Sequence, residues 1–158
     1  MIFSLLANLL SAEIEIGAPA PQVNTINELG EPINLGAELS EGTSLVFFYP
    51  KAMTGGCTKQ VCSLRDSWDL LKDRGVTIYG VSSDTIKLQK AFSDRYELPF
   101  SLIADTDQTV SKAFGKNRWS RQAYIFKDGI LVWRDLGAST AKQAADVIAA
   151  LDQLEAKG

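Results

Sequence analysis

The chain has 158 residues, 46% of them hydrophobic and 22% charged, which suits one globular domain with a proper core. Its formal charge of −3 gives no reason to expect a nucleic-acid partner. With no histidine and two cysteines, Ser-His-Asp and Cys-His catalysis, His-ligated zinc or haem, and a four-cysteine metal site are all excluded.

Residues 1–14 form an apolar N-terminal segment. Its run from Ile2 to Leu10 is too short to span a bilayer as a helix, so no stable membrane span is expected. Two readings stand. The run has the length of a signal-peptide core, with Ser11-Ala12 as small residues at a cleavage site, but it lacks a basic leading segment. Otherwise it is a short helix packed on the domain. The expected location is cytoplasmic, with export to the periplasm open if residues 1–12 are a signal peptide. Residues 15–158 read as a single domain.

Ala18-Pro19-Ala20-Pro21 is a rigid, extended lead-in, because each proline fixes φ and restricts its predecessor. Val23–Ile26 and Ile33–Leu35 are expected to pair as a small hairpin around Glu28-Leu29-Gly30-Glu31. Ser44 to Tyr49 is nearly continuous in apolar residues and reads as a buried strand. A glycine-containing turn follows. Apolar side chains at Cys57, Val61, Leu64, Trp68 and Leu71 then recur at helical spacing, predicting a helix to about Arg74, stopped by Gly75. Val76–Ser82 is rich in β-branched residues and reads as a second buried strand. Ser83 or Asp84 is expected to cap the next helix, which runs to about Tyr96. Phe100–Ile103 is a short strand, and a short helix runs from Asp105 to near Gly115. Lys127-Asp128-Gly129 joins Gln122–Phe126 to Ile130–Arg134 as a hairpin. Thr140–Ala156 closes the chain as a helix with Ala144, Val147, Ile148 and Leu151 on one face. The order β-β, β-α-β-α-β-α, β-β-α predicts an α/β fold, a thioredoxin-like sandwich with a mixed central sheet and helices on both faces.

The chemistry concentrates between Pro50 and Cys62. Cys57 falls in the first turn of its helix, where unpaired N–H groups and the positive end of the dipole favour an anion. A thiol there is favoured as thiolate, the reactive form. A buried cysteine on an apolar stripe is equally readable as inert core. Cys62 lies five positions on, roughly 140° around a regular helix and on the order of 8–9 Å away between Cα atoms. A disulfide needs closer than about 7 Å. Either the two never pair, or the first turns of the helix unwind when they do; Gly55 and Gly56 would ease that fraying.

These residues resemble a known family. Pro50-x-x-x-Thr54-x-x-Cys57 is similar to the active-site signature of the peroxiredoxins. The longer run from Phe48-Tyr49-Pro50-Lys51 through Cys57-Thr58-Lys59-Gln60-Val61-Cys62 to Arg65-Asp66 resembles the bacterioferritin-comigratory, or peroxiredoxin Q, branch. The likeness extends over about residues 15–155 and includes Tyr79-Gly80-Val81-Ser82 and Arg121-Gln122-Ala123-Tyr124-Ile125. It implies a thiol peroxidase acting on hydrogen peroxide and organic hydroperoxides. Cys57 would be the peroxidatic cysteine and Cys62 the resolving one, joined in an intramolecular disulfide. Thr54 would hydrogen-bond the peroxide, Pro50 would shield the pocket, and Arg121 would stabilise thiolate and departing oxygen. A thioredoxin or similar dithiol would recycle the enzyme, and no metal or organic cofactor is required. A local disulfide needs no second subunit, so a monomer is expected. Arg118 lies three residues before Arg121 and competes for the arginine's role. The branch usually has proline after the threonine; Gly55 stands there instead and loosens the turn.

Two other classes compete. A thiol–disulfide oxidoreductase on the same fold would normally carry Cys-x-x-Cys and a proline before the penultimate strand. This chain has four residues between its cysteines and no proline between 118 and 123. Strand, glycine turn and helix also describe an anion-binding module, but the Gly-Lys-Ser/Thr ending of a phosphate loop is absent.

Overall fold

Alternation along the central strand sets the architecture. In β3 (Thr43–Phe48) and the residue after it, Leu45, Phe47 and Tyr49 point to one face and Val46 and Phe48 to the other, as the two-residue period of a strand requires. All five are at most 2% exposed, so both faces must be covered. The computed structural model describes residues 13–116 and 120–157. The apolar run of residues 1–12 and the alternative arginine, Arg118, lie outside them.

Two short strands, β1 (Asn24–Ile26) and β2 (Pro32–Asn34), pair antiparallel as the expected hairpin. Leu35 is not part of it. Asn34 accepts from the Ala37 N–H at 2.9 Å and so starts the short helix α1 (Leu35–Glu38), a capping preference that ends the strand before Leu35. β3 is followed by α2 (Gly55–Asp66) and α3 (Trp68–Asp73). These were expected as one helix. The backbone leaves helical geometry at Ser67 (φ −103°, ψ 10°), and the bend accompanies packing of Trp68 on Phe100, ring centroids 6.2 Å apart.

β4 (Val76–Ser82) leads to α4 (Ile86–Tyr96), β5 (Ser101–Ala104) and α5 (Thr109–Ala113). The cap of α4 is neither Ser83 nor Asp84 but Thr85, whose hydroxyl accepts from the Leu88 N–H at 3.2 Å. α5 begins later than expected because Asp105 stays in the preceding loop and accepts from the N–H groups of Val110 and Ser111, both at 2.9 Å. The hairpin β6 (Gln122–Lys127) and β7 (Ile130–Asp135) follows, then α6 (Gln143–Lys157).

The main sheet has the order β5-β4-β3-β6-β7, with β3, β4 and β5 parallel and β6 and β7 antiparallel to their neighbours. One core face carries Val61, Leu64, Leu71, Phe92, Val147 and Leu151 from α2, α3, α4 and α6. The other carries Leu35, Leu39, Val110 and Phe114, from α1, α5 and the residues that end them. This is the mixed sheet with helices on both faces.

Glycine inside β4 marks a close approach. A Cβ on Gly80 would come within 2.7 Å of the Phe47 ring and 2.8 Å of Leu102. Gly80→Ala is therefore expected to cost about 1–3 kcal/mol by overpacking, read as a lower urea midpoint at unchanged slope. A midpoint equal to wild type would show that this layer has slack.

Candidate active site

Strand register brings the site together. β3 and β4 are parallel, so the loops after them, beginning at Pro50 and Ser83, leave the same sheet edge. β6 runs antiparallel to β3, with Phe48 opposite Gln122. The residue before β6, Arg121, therefore ends beside the start of the 50–54 loop. Residues 64 positions apart in the chain meet: an Arg121 guanidinium N–H donates to Cys57 Sγ at 3.5 Å.

Cys57 is the third residue of α2 and 1% exposed. A second donor approaches its sulfur, the Lys51 backbone N–H at 3.5 Å. Guanidinium, backbone amide and helix N-terminus thus converge on one atom, and each favours negative charge there. Thr54 is the N-cap residue of α2, with extended backbone (φ −83°, ψ 157°). Its hydroxyl makes no cap bond to the helix and donates instead to the Lys51 carbonyl at 2.7 Å. Its oxygen lone pairs remain able to accept. Thr54 is exposed and Pro50 half-buried. Met53, between them, holds a left-handed φ of 67°, a conformation that a side chain other than glycine adopts only where its surroundings enforce it.

The arginine is held by groups that sequence reading missed. Arg121 Nη1 also donates to Gln60 Oε1 at 2.7 Å, and Gln60 Nε2 donates to Gln143 Oε1 at 2.8 Å. Gln60 and Gln143 are both fully buried. The available signal was a glutamine three residues after Cys57, on the same helix face and among apolar residues. Gln143 carried no signal, because its partner lies 83 residues away. Gly56 has a specific reason to be glycine: a Cβ there would lie 3.0 Å from Arg121 Nη2, whereas one on Gly55 would meet nothing within 4 Å.

Cys62 is also in α2, half-buried against the first core face, and both cysteines are unbridged. Burial pushes its thiol above the ordinary cysteine value, and Arg65 draws it part of the way back. The helix is anchored beyond it, where the Ser63 hydroxyl accepts from the Ala144 N–H of α6 at 3.0 Å. Among the described residues, no cluster of three or more Cys, Asp or Glu side chains is placed to hold a metal ion, and no helix is long and apolar enough to cross a membrane.

The chain is similar to proteins of known family. Residues 16–134 match the model of the AhpC/TSA family. The chain is 39% identical over 119 residues to peroxiredoxin Bcp of Escherichia coli, covering 74% of each chain. It is 36% identical over 112 residues to the chloroplastic peroxiredoxin Q of Arabidopsis thaliana, covering 71% of this chain and 51% of that one. Among solved structures, the peroxidoxin BcpB of Mycobacterium tuberculosis superposes with a TM-score of 0.81 at 26% identity, over 89% of this chain and 98% of that one. The family match over residues 16–134, with these relatives, shows that the chain belongs to the AhpC/TSA family and is a thiol peroxidase of its Bcp and peroxiredoxin Q branch.

Proposed function

We propose that Cys57 is the peroxidatic cysteine and Cys62 the resolving cysteine of this peroxidase, and that the arginine of the site is Arg121. The observation that carries the reading is the convergence of the Arg121 guanidinium and the Lys51 N–H on one buried sulfur, each at 3.5 Å.

The Cys57 thiolate attacks one oxygen of a hydroperoxide. An S–O bond forms, the O–O bond breaks, and the distal oxygen leaves as alkoxide or hydroxide. Cys57 is oxidised to the sulfenic acid and the peroxide is reduced. Negative charge moves from sulfur to the departing oxygen, so Arg121, already fixed by Gln60, is suited to stabilise both ends of that displacement. Thr54 has committed its proton to the Lys51 carbonyl, so it meets the peroxide as an acceptor of the substrate O–H. Pro50, half-buried beside it, limits water at the pocket. The substrates are hydrogen peroxide and organic hydroperoxides.

Resolution follows when the Cys62 sulfur displaces the sulfenic oxygen, giving a Cys57–Cys62 disulfide and water. Both cysteines lie in one continuous helix, and regular geometry keeps their Cα atoms roughly 8–9 Å apart. The first turns of α2 therefore unwind at this step. A thioredoxin-type dithiol then reduces the disulfide by exchange and leaves oxidised itself. The whole cycle needs one chain, which supports a monomer built from residues 15–158. A cytoplasmic location supplies such a dithiol.

Intact mass of the reduced protein after one equivalent of peroxide tests the roles. Wild type should lose two hydrogens, Cys62→Ser should gain one oxygen, and Cys57→Ser should be unchanged. Wild type that gains and keeps oxygen would remove Cys62 from the resolving role.

Gly56→Ala should slow peroxide consumption, by roughly tenfold, because its new methyl displaces the guanidinium. Gly55→Ala should leave the rate near wild type. Equal rates for the two variants would count against Arg121 at the sulfur.

In Cys57→Ser, where Cys62 is the single thiol, alkylation should rise with pH through a midpoint above that of the same chain in denaturant. Burial raises the thiol, so its thiolate appears later as pH increases. A native midpoint at or below the denatured one would contradict the buried setting.

A further inference from the structure

Asp84 is used by neither the peroxidase chemistry nor the helix beside it. Its position at the start of α4 suggests a cap, yet Thr85 fills that role. Asp84 is 9% exposed. One oxygen, Oδ2, accepts two hydrogen bonds: from the Ala52 N–H at 2.7 Å and from the Ser82 hydroxyl at 2.6 Å. The Ser82 oxygen in turn accepts from Gln89 Nε2 at 2.9 Å, and Gln89 Oε1 accepts from the Tyr49 hydroxyl at 2.5 Å. The carboxylate thus stands on a buried polar chain that reaches from β4 through α4 to the end of β3.

A carboxylate is a poor choice there on electrostatic grounds. Removing it from water is costly. What it provides is one oxygen that accepts two hydrogen bonds and so ties the loop that carries the site to β4. The anchored residue directly precedes Met53 with its left-handed φ of 67°. It directly follows Lys51, whose N–H donates to Cys57 and whose carbonyl accepts from Thr54.

We propose that Asp84 is a positioning residue for peroxide reduction: by anchoring Ala52 it holds the 51–54 turn in the shape that aims the Lys51 N–H and the Thr54 oxygen at the reacting edge of Cys57. This rests on Cys57 being the attacking thiol. The turn also supplies the Thr54 carbonyl that accepts from the Thr58 N–H at 2.9 Å in the first turn of α2. The same anchor therefore opposes unwinding of that helix, and its loss slows oxidation of Cys57 while speeding disulfide formation.

The test measures sulfenic acid formation and disulfide formation separately, by stopped flow, in wild type, Asp84→Ala and Asp84→Asn. Circular dichroism confirms that each is folded at the working temperature. Asp84→Ala should lower the second-order rate with peroxide by roughly tenfold to a hundredfold and raise the disulfide rate. Asp84→Asn should recover most of both, because an amide oxygen in the place of Oδ2 can accept the same two bonds without charge. If Asp84→Ala does not fold, Ala52→Pro replaces it. Proline lacks the donor N–H but suits the position before a left-handed turn residue, so the same two rate changes are expected with the carboxylate intact. Amide exchange in wild type adds a readout without mutation: the Ala52 N–H should be protected in the reduced protein. Wild-type rates in folded Asp84→Ala, equal impairment in the alanine and asparagine variants, or an unprotected Ala52 N–H would each overturn the assignment. Cys57→Ser separates the two readings: if it still consumes peroxide, the role of Cys57 fails and that of Asp84 with it. If it is inactive while Asp84→Ala reacts like wild type, the Asp84 assignment fails alone.

Discussion

The proposed chemistry requires one sulfur atom to be dry, charged and reachable, and the surrounding structure suits that requirement. Cys57 is 1% exposed, where an unassisted anion would be costly. Three sources of positive potential offset the cost: the N-terminus of α2, the Lys51 N–H and the Arg121 guanidinium. None of them is a titratable base. This is a consistent solution for a chain without histidine, because fixed dipoles and a permanently charged guanidinium do not compete for the proton. It also explains the buried glutamines. An arginine reaching across from the start of β6 has to be held in place, and the amide of Gln60, itself held by Gln143, accepts from its Nη1 without adding another charge.

The reduced protein stores an opposition between two geometries. In the helix, Cys57 and Cys62 cannot bridge; in a bridge, the helix cannot persist. Polar contacts hold the first turns of α2: Gln60 to Arg121 and Gln143, and the turn before the helix to Asp84. Val61 and Leu64, by contrast, are fully buried and hold the middle of the helix against the sheet. Local unwinding of a segment secured by hydrogen bonds costs far less than extraction of its apolar face, since each such bond contributes only about 1 kcal/mol net. A glycine at the first helical position, where proline would be tolerated and would stiffen the turn, tilts the balance further towards opening. Burial also pushes the Cys62 thiol above the ordinary cysteine value.

Much of this was legible in the residues alone. Apolar runs and periodicity locate β3, β4, β6, β7 and the long helices because side-chain burial on a strand or helix is a local, repeating property. The signature from Pro50 to Cys62 identifies the chemistry because strand, turn and helix N-terminus are contiguous in the chain. Misreadings occurred where a single side chain decides between alternatives of similar energy: Asn34 starting α1 and Thr85 rather than Asp84 capping α4. Such choices depend on one hydrogen bond, and periodicity is insensitive to them.

The proposed nucleophile, its place at the head of a helix, and the conflict between helix and disulfide are set by residues within thirteen positions of each other. Local spacing is sufficient to specify them. That Arg121 meets Cys57, that Gln143 braces Gln60, and that Asp84 turns from its own helix to hold Ala52 depend on register. β6 lies antiparallel and β4 parallel to β3, and only that pairing carries distant segments to one sheet edge. A polar side chain in sequence has many potential partners; the folded sheet leaves Asp84 Oδ2 with two, the Ala52 N–H and the Ser82 hydroxyl.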